Sequence, residues 1–104
     1  MRKRVHGPAQ VSNAAATKYT VPAGLRATTK HIHVSNTSAG AVNFTMSIGA
    51  DAAGTRIFDA YTLQAGEVLD YFGQHTLEAA EVIQALGSVN NQLVLTIDVE
   101  LSPA

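Results

Sequence analysis

Residues 93–101 read Leu-Val-Leu-Thr-Ile-Asp-Val-Glu-Leu, and a large apolar side chain occupies every odd-numbered position of this stretch. Successive side chains of a β-strand point to opposite faces of a sheet, so this period of two predicts a strand with one buried face. Residues 42–48, Val-Asn-Phe-Thr-Met-Ser-Ile, repeat the pattern. Two such stretches in a chain of 104 residues favour an all-β fold.

Shorter segments of the same character lie between and before these two. Residues 19–21 and 30–35 alternate in the same way, and the first of them ends at the turn signal Pro-Ala-Gly. Residues 57–63 and 68–72 predict two more strands, which we expect to form a hairpin around Gln64–Glu67. The pattern as a whole predicts an antiparallel β-sandwich, or a jelly-roll-like barrel, of about seven or eight short strands.

Residues 76–86 are the ambiguous segment, because Leu-Glu-Ala-Ala-Glu-Val-Ile-Gln-Ala-Leu has high helix propensity. The stretch Leu77–Ile83 nevertheless shares Leu, Ala, Glu and Val at the same offsets with Leu63–Leu69, fourteen residues earlier. If the first copy is strand, turn and strand, the second is expected to be the same, with Glu78–Glu81 as its turn. We favour strands here and keep the helix as the alternative.

Composition indicates one compact domain without covalent crosslinks. The chain has no cysteine, which excludes disulfides, thiolate metal sites and thiol catalysis. Residues 1–12 contain Gly7-Pro8 and few apolar side chains, so we expect an extended N-terminal arm that precedes a single domain at 13–104. No stretch reaches the length of about 20 apolar residues that a membrane span needs, and the basic start is not followed by the apolar segment of a secretory signal.

Charge is unevenly distributed along a chain whose net charge is only −1. Residues 1–30 carry six basic side chains and no acid, whereas residues 31–104 carry Arg56 and all eight acids. The basic cluster Arg2, Lys3 and Arg4 is too short to indicate nucleic acid, and no aromatic face for base stacking is evident. It is either a solvated tail or an arm that docks on the acidic surface of a neighbouring copy.

Two histidines lie on one face of a predicted strand, in His31-Ile32-His33. This spacing can chelate a divalent metal, with His6 or His75 as a conceivable third ligand. The spacing supplies no further ligand, so we interpret His31 and His33 as polar positions on a wet or subunit-facing surface. No metal site and no cofactor is predicted.

Catalytic motifs are not visible in the sequence. Asp59 with Asp70, or Glu67 with Glu81, could be neighbours across a sheet, yet each lies beside a turn or on the polar side of a strand, where solvated charge is ordinary. There is no nucleophile elbow, phosphate loop or dinucleotide fingerprint. The sequence therefore predicts no enzyme, and a small hydrolase that uses Asp59, Asp70 or His31 is the least favoured hypothesis.

Several turn and strand motifs together resemble the small β-sandwich virion proteins of tailed bacteriophages. The resemblance spans residues 19–99 and is carried by Tyr-Thr-Val-Pro-Ala-Gly, by Lys-His-Ile-His-Val-Ser-Asn-Thr-Ser, by the Leu-Gln-Ala-Gly-Glu turn, by Leu-Glu-Ala-Ala-Glu-Val-Ile-Gln-Ala and by the alternating strands 42–48 and 93–99. Members of that group decorate capsids or belong to tails, and no catalytic residue is implied. Residues 1–12 lie outside the matched region.

The resemblance implies a structural protein of a virion that is assembled in the host cytoplasm. We expect a capsid decoration protein that binds the major capsid protein and copies of itself, as a trimer, without nucleic acid or membrane. The alternatives are a minor tail-associated protein that binds a tail protein, and a carbohydrate-binding module for host adhesion. The residues expected to make contacts are Arg2, Lys3, Arg4, His31, His33, Tyr61 and Tyr71.

Overall fold

The predicted strand at 93–101 lies inside a sheet, flanked on both sides by other strands. In a computed structural model that describes residues 1–104, it extends over Leu93–Pro103 as β9. β9 pairs antiparallel with β1 (Arg2–Val11) on one side and with β3 (Leu25–Asn36) on the other. β6 (Val68–Tyr71) and the two-residue β7 (Thr76–Leu77) continue this sheet along the far side of β3.

A second, four-stranded sheet packs against the first. Its order is β2 (Ala16–Thr20), β8 (Val82–Gly87), β4 (Val42–Ile48) and β5 (Arg56–Leu63), and every pair is antiparallel. The all-β sandwich is thus confirmed, with nine strands and no helix. None of its segments forms a helix with the length and hydrophobicity that crossing a bilayer requires.

The core consists of the alternating apolar side chains that face inwards from both sheets. Sixteen buried apolar residues form one cluster, which includes Ile32 and Val34 of β3, Phe44 and Met46 of β4, and the odd-numbered residues of β9 up to Val99. Burial of each Val, Leu, Ile, Phe or Met side chain in this cluster stabilises the fold by about 1.5–3 kcal/mol. The same alternation leaves His31, His33 and the even-numbered residues of β9 on the outer face.

The ambiguous segment forms strands, which confirms the interpretation drawn from the internal echo. β7 and β8 flank the turn Glu78–Glu81, in which the Glu81 amide donates to the Glu78 carbonyl at 3.1 Å. Leu77, Ile83 and Ala85 are buried with a period of two. Tertiary packing of these side chains therefore overrides the helix propensity of the segment.

The predicted hairpin of residues 57–63 and 68–72 is wrong. β5 pairs with β4 in one sheet and β6 pairs with β3 in the other, so the turn Gln64–Glu67 carries the chain between the sheets. Asn36 holds this crossing in place. Its side chain is buried, and its amide Nδ2 donates to the carbonyls of Leu63 at 2.9 Å and Gln64 at 3.1 Å, and also to Gly40 at 2.9 Å.

The predicted N-terminal arm is also corrected, because residues 2–11 form an edge strand of the first sheet. Their register runs from Arg2 opposite Glu100 to Val11 opposite Leu93. Gly7, at φ 75°, lies within a bulge of this strand. Without β1, one side of β9 would expose unpaired backbone groups. β1 pairs with that side of β9, and its Arg2 lies 3.8 Å from Asp98 on the outer face of β9.

Candidate functional site

The outer face of the first sheet brings three potential metal ligands together on two neighbouring strands. The register of β3 and β6 places His33 directly opposite Asp70, and His31 lies two residues away on the same face of β3. Directly opposed residues on antiparallel strands have Cβ atoms about 4.5–5.5 Å apart. The pairing of β3 with β6, which sequence reasoning had missed, is what assembles this His31–His33–Asp70 cluster.

One carboxylate oxygen accepts hydrogen bonds from both imidazoles of the cluster. Asp70 Oδ1 lies 2.8 Å from His31 Nε2 and 2.6 Å from His33 Nδ1, distances at which each ring N–H donates to it. The three ligand atoms lie within 4.8 Å of one another. Both imidazole rings are half-buried and the carboxylate is exposed, so the cluster lies on an open surface.

The Asp70 carboxylate is held in its ionised form by these contacts. The hydrogen bond from His33 is the main cause of a lowered Asp70 pKa, and the hydrogen bond from His31 is the second. A carboxylate stabilised in this way remains an anionic acceptor at neutral pH. The cluster thus combines one fixed negative charge with two nitrogen donors.

Neighbouring side chains restrain the cluster from two sides. The ring of Phe72 stacks on His31 with centroids 4.6 Å apart and an interplanar angle of 4°, and the edge of the His33 ring approaches from 5.9 Å. On the next strand, β9, Asp98 lies opposite His31 in the register and 3.8 Å from the Arg2 guanidinium. The imidazole of His31 therefore lies between the ring of Phe72, which stacks on it, and the neighbouring strand β9, where Asp98 is its register partner.

The histidines that sequence analysis offered as third ligands lie elsewhere. His75 Nε2 lies 2.7 Å from the Tyr71 hydroxyl, and His6 is on β1, where burial is the main cause of a lowered pKa and the charge of Lys18 the second. The third potential ligand beside His31 and His33 is Asp70 instead. The sequence suggests Asp70 only as a partner of Asp59 or as a residue of a hydrolase, because nothing in it shows that β6 pairs with β3.

The proposed carboxylate pairs do not form. Asp59 accepts a hydrogen bond from Arg56 at 2.9 Å, and the same guanidinium binds Asp51 and lowers the pKa of that carboxyl. Glu67 and Glu81 each cap their own turn, accepting from the amides of residues 64 and 78 at 2.5 and 2.6 Å. Asp59, Glu67 and Glu81 thus each bind a group three residues away in the chain, and Asp70 binds the two histidines of the cluster.

The remaining contact residues predicted from sequence fall on opposite edges of the sandwich. Arg2, Lys3 and Arg4 lie exposed on β1. Tyr61 and Tyr71 lie on the other edge, formed by β5 and β6, and Phe58 stands between them with ring centroids 6.0 and 4.9 Å from theirs. Tyr71 is half-buried and Tyr61 is exposed, so the two rings do not present one continuous stacking surface.

Comparison with known proteins leaves this chain without a match among protein-family models or curated sequences.

Proposed function

We propose that the chain is a non-enzymatic structural protein of a tailed-phage virion, which decorates the capsid by binding the major capsid protein and further copies of itself. The observation that carries this proposal is a set of exposed apolar side chains on the β5–β6 edge. The resemblance of residues 19–99 to small virion proteins supports the same class.

Large apolar side chains are exposed on the β5–β6 edge, although the core is well formed. Phe72 is 64% exposed, Val68 52% and Tyr61 46%. Single exposed apolar residues are ordinary on a protein surface, but several on one edge point to a contact with another macromolecule. Aromatic side chains in particular are enriched in protein interfaces.

The two edges of the sandwich differ in charge, which supports contact between copies. β1 and β2 carry Arg2, Lys3, Arg4 and Lys18 and no acid. β5, β6 and the turn between them carry Asp59, Glu67 and Asp70 against Arg56 alone. A contact between unlike edges is heterologous. It generates a closed ring, such as a trimer, when the rotation that relates one copy to the next adds up to a full turn.

Side chains, more than strand pairing, are expected to make this contact. β1 contains Pro8 and two register shifts, and β6 has only four residues. Proline, bulges and short length are the features that keep edge strands from pairing with other chains. Lys3 and Arg4 of β1, which form no ion pair within the chain, and the exposed Val68 of β6 remain available for such a contact.

The first test is self-association in solution, measured by light scattering on a sizing column over a range of concentrations. Val68→Glu places a charge in the proposed contact and is expected to weaken association roughly tenfold or more. Val89→Glu is the matched control, since Val89 is 45% exposed in the turn between β8 and β9. A wild type that remains monomeric, or an equal effect of both variants, would contradict the contact between copies.

The second test locates the protein in the particle. Mass spectrometry of separated heads and tails is expected to find it in heads, at an occupancy that Val68→Glu lowers and Val89→Glu leaves unchanged. Its presence in tails alone would replace capsid decoration by the tail-associated role. Its absence from both would overturn the virion proposal.

A further inference from the structure

We propose that His31, His33 and Asp70 bind one divalent transition-metal ion of the Zn²⁺ class per chain, with solvent completing its coordination. The proposal does not rest on the virion role, because it is argued from the ligand geometry of β3 and β6, although Phe72 and Asp70 also belong to the proposed contact edge.

The donor set fits this class of ion. Imidazole nitrogen and carboxylate oxygen are both ordinary ligands of Zn²⁺, and three protein ligands plus water is the arrangement of its open sites. Two histidines and one carboxylate likewise suit other first-row divalent ions. Ions that prefer all-oxygen shells, such as Mg²⁺ and Ca²⁺, fit the two nitrogens poorly.

The distances leave only a small adjustment before an ion can enter. Bonds of about 2.0–2.2 Å to a tetrahedral ion hold ligand atoms roughly 3.3 Å apart. The oxygen of Asp70 now lies 2.8 and 2.6 Å from the two nitrogens, and all three atoms lie within 4.8 Å of one another. The ion takes the place of the two protons that the imidazoles now direct at Oδ1, and each neutral ring then carries its proton on its other nitrogen, Nδ1 of His31 and Nε2 of His33. Side-chain rotations that move the ligand atoms by about 1.5 Å or less then suffice.

The backbone preorganises the three ligands. All of them project from hydrogen-bonded strands, and His33 faces Asp70 directly across the β3–β6 pair. Stacking of Phe72 restrains the His31 ring in one orientation. Ligands held by paired strands and a packed ring lose little conformational freedom when an ion binds.

The local charge also favours a cation. Asp70 contributes one negative charge, and Asp98 contributes another on the neighbouring strand, opposite His31. Arg2 lies 3.8 Å from Asp98 and offsets part of that charge, but no cationic side chain forms an ion pair with Asp70. The only ion-pair partners of Asp70 are the two histidines, which carry no charge when neutral, so the site is then net negative.

Zinc titration of protein without a histidine tag tests the proposal. We expect one ion per chain, with affinity lowered roughly tenfold or more by His31→Ala, by His33→Ala and by Asp70→Asn. The controls His6→Gln and His75→Gln are expected to bind like the wild type. Fewer than one ion per chain, or equal losses in cluster and control variants, would overturn the three-ligand site.

A measurement on the wild type avoids any dependence on how well the variants fold. In a ¹⁵N-resolved NMR titration with Zn²⁺, the imidazole signals of His31 and His33 are expected to shift while those of His6 and His75 stay in place. Equal perturbation of all four rings would show nonspecific binding and overturn the assignment. Because the ion ties the edge strand β6 to β3, Zn²⁺ is also expected to raise Tm, and Asp70→Asn to abolish that rise.

Discussion

Ala80 repeats the backbone of Gly66, fourteen residues away in the chain, as the third residue of an equivalent turn. Their φ angles are 70° and 76°. Both amides donate to a carbonyl at the end of another strand, Ala80 to Val21, which follows β2, at 2.9 Å and Gly66 to Asn36, the last residue of β3, at 3.0 Å. Each turn joins strands of different sheets and is capped by its own glutamate. The sequence echo is therefore a structural repeat.

The first prediction concerns these two positions. A left-handed conformation costs an L-residue about 1–2 kcal/mol, whereas glycine loses about 0.5–1 kcal/mol more chain entropy on folding than alanine. Ala80→Gly is therefore expected to raise the free energy of unfolding by roughly 0.5–1 kcal/mol, and Gly66→Ala to lower it by a similar amount. Urea denaturation measures both, and Gly40→Ala, at a position without positive φ, is the control.

The second prediction concerns the buried amide of Asn36. Its two N–H groups are shared among three carbonyls and its Oδ1 accepts from Ser38, so Asn36→Ala removes this whole network, including the buried bond to the Leu63 carbonyl. We expect a loss of about 2–3 kcal/mol in the free energy of unfolding. Asn90→Ala removes a single exposed contact to the Asn13 amide and is expected to cost less than about 1 kcal/mol. Similar losses in both variants would contradict the structural role of Asn36.

The third prediction is a pH dependence of the cluster. The folded-state pKa of Asp70 is lowered by its hydrogen bonds, so its contribution to stability is present above the unfolded value of about 3.9 and is lost as pH falls through the folded value. Wild type is therefore expected to be more stable than Asp70→Asn at pH 7, and the difference to shrink below about pH 4. A difference that is constant between pH 7 and pH 3, measured by urea denaturation in EDTA, would contradict the ionised contact.

The fourth prediction concerns β1. Deleting residues 1–8 removes most of the strand that pairs with β9, together with Val5, which is half-buried against the core. We expect the free energy of unfolding to fall by about 2 kcal/mol or more, whereas a free arm would leave it unchanged. The double variant Lys3→Ala, Arg4→Ala keeps the strand and is expected to stay within about 0.5 kcal/mol of wild type.

Local sequence patterns predicted the strands better than their partners. The alternation of β3, β4 and β9 is a property of residues that are close in the chain, and the Leu63–Leu69 echo correctly indicated strands at β7 and β8. Pairing depends instead on distant contacts. Nothing near Gln64–Glu67 shows that Asn36 will bind this turn and direct β6 into the other sheet.

At the candidate site, too, the local pattern was predictable from sequence and the distant pairing was not. The period of two placed His31 and His33 on one face, as the structure confirms. Asp70 could not be joined to them without knowing that β6 pairs with β3. The basic residues 2–4 are likewise assigned to an arm from sequence because the strand residues that pair with them, 98–100, lie almost a hundred residues away.

The position of β9 between β1 and β3 has a consequence for biosynthesis. A ribosome makes β1 first and β9 last among the nine strands, yet neither β1 nor β3 can complete its pairing until β9 has emerged. The first sheet must therefore assemble after most of the domain has been translated, and its apolar strands stay exposed until then. Such long-range pairing is slow and prone to aggregation, so chaperone dependence during expression is the expected cost of this topology.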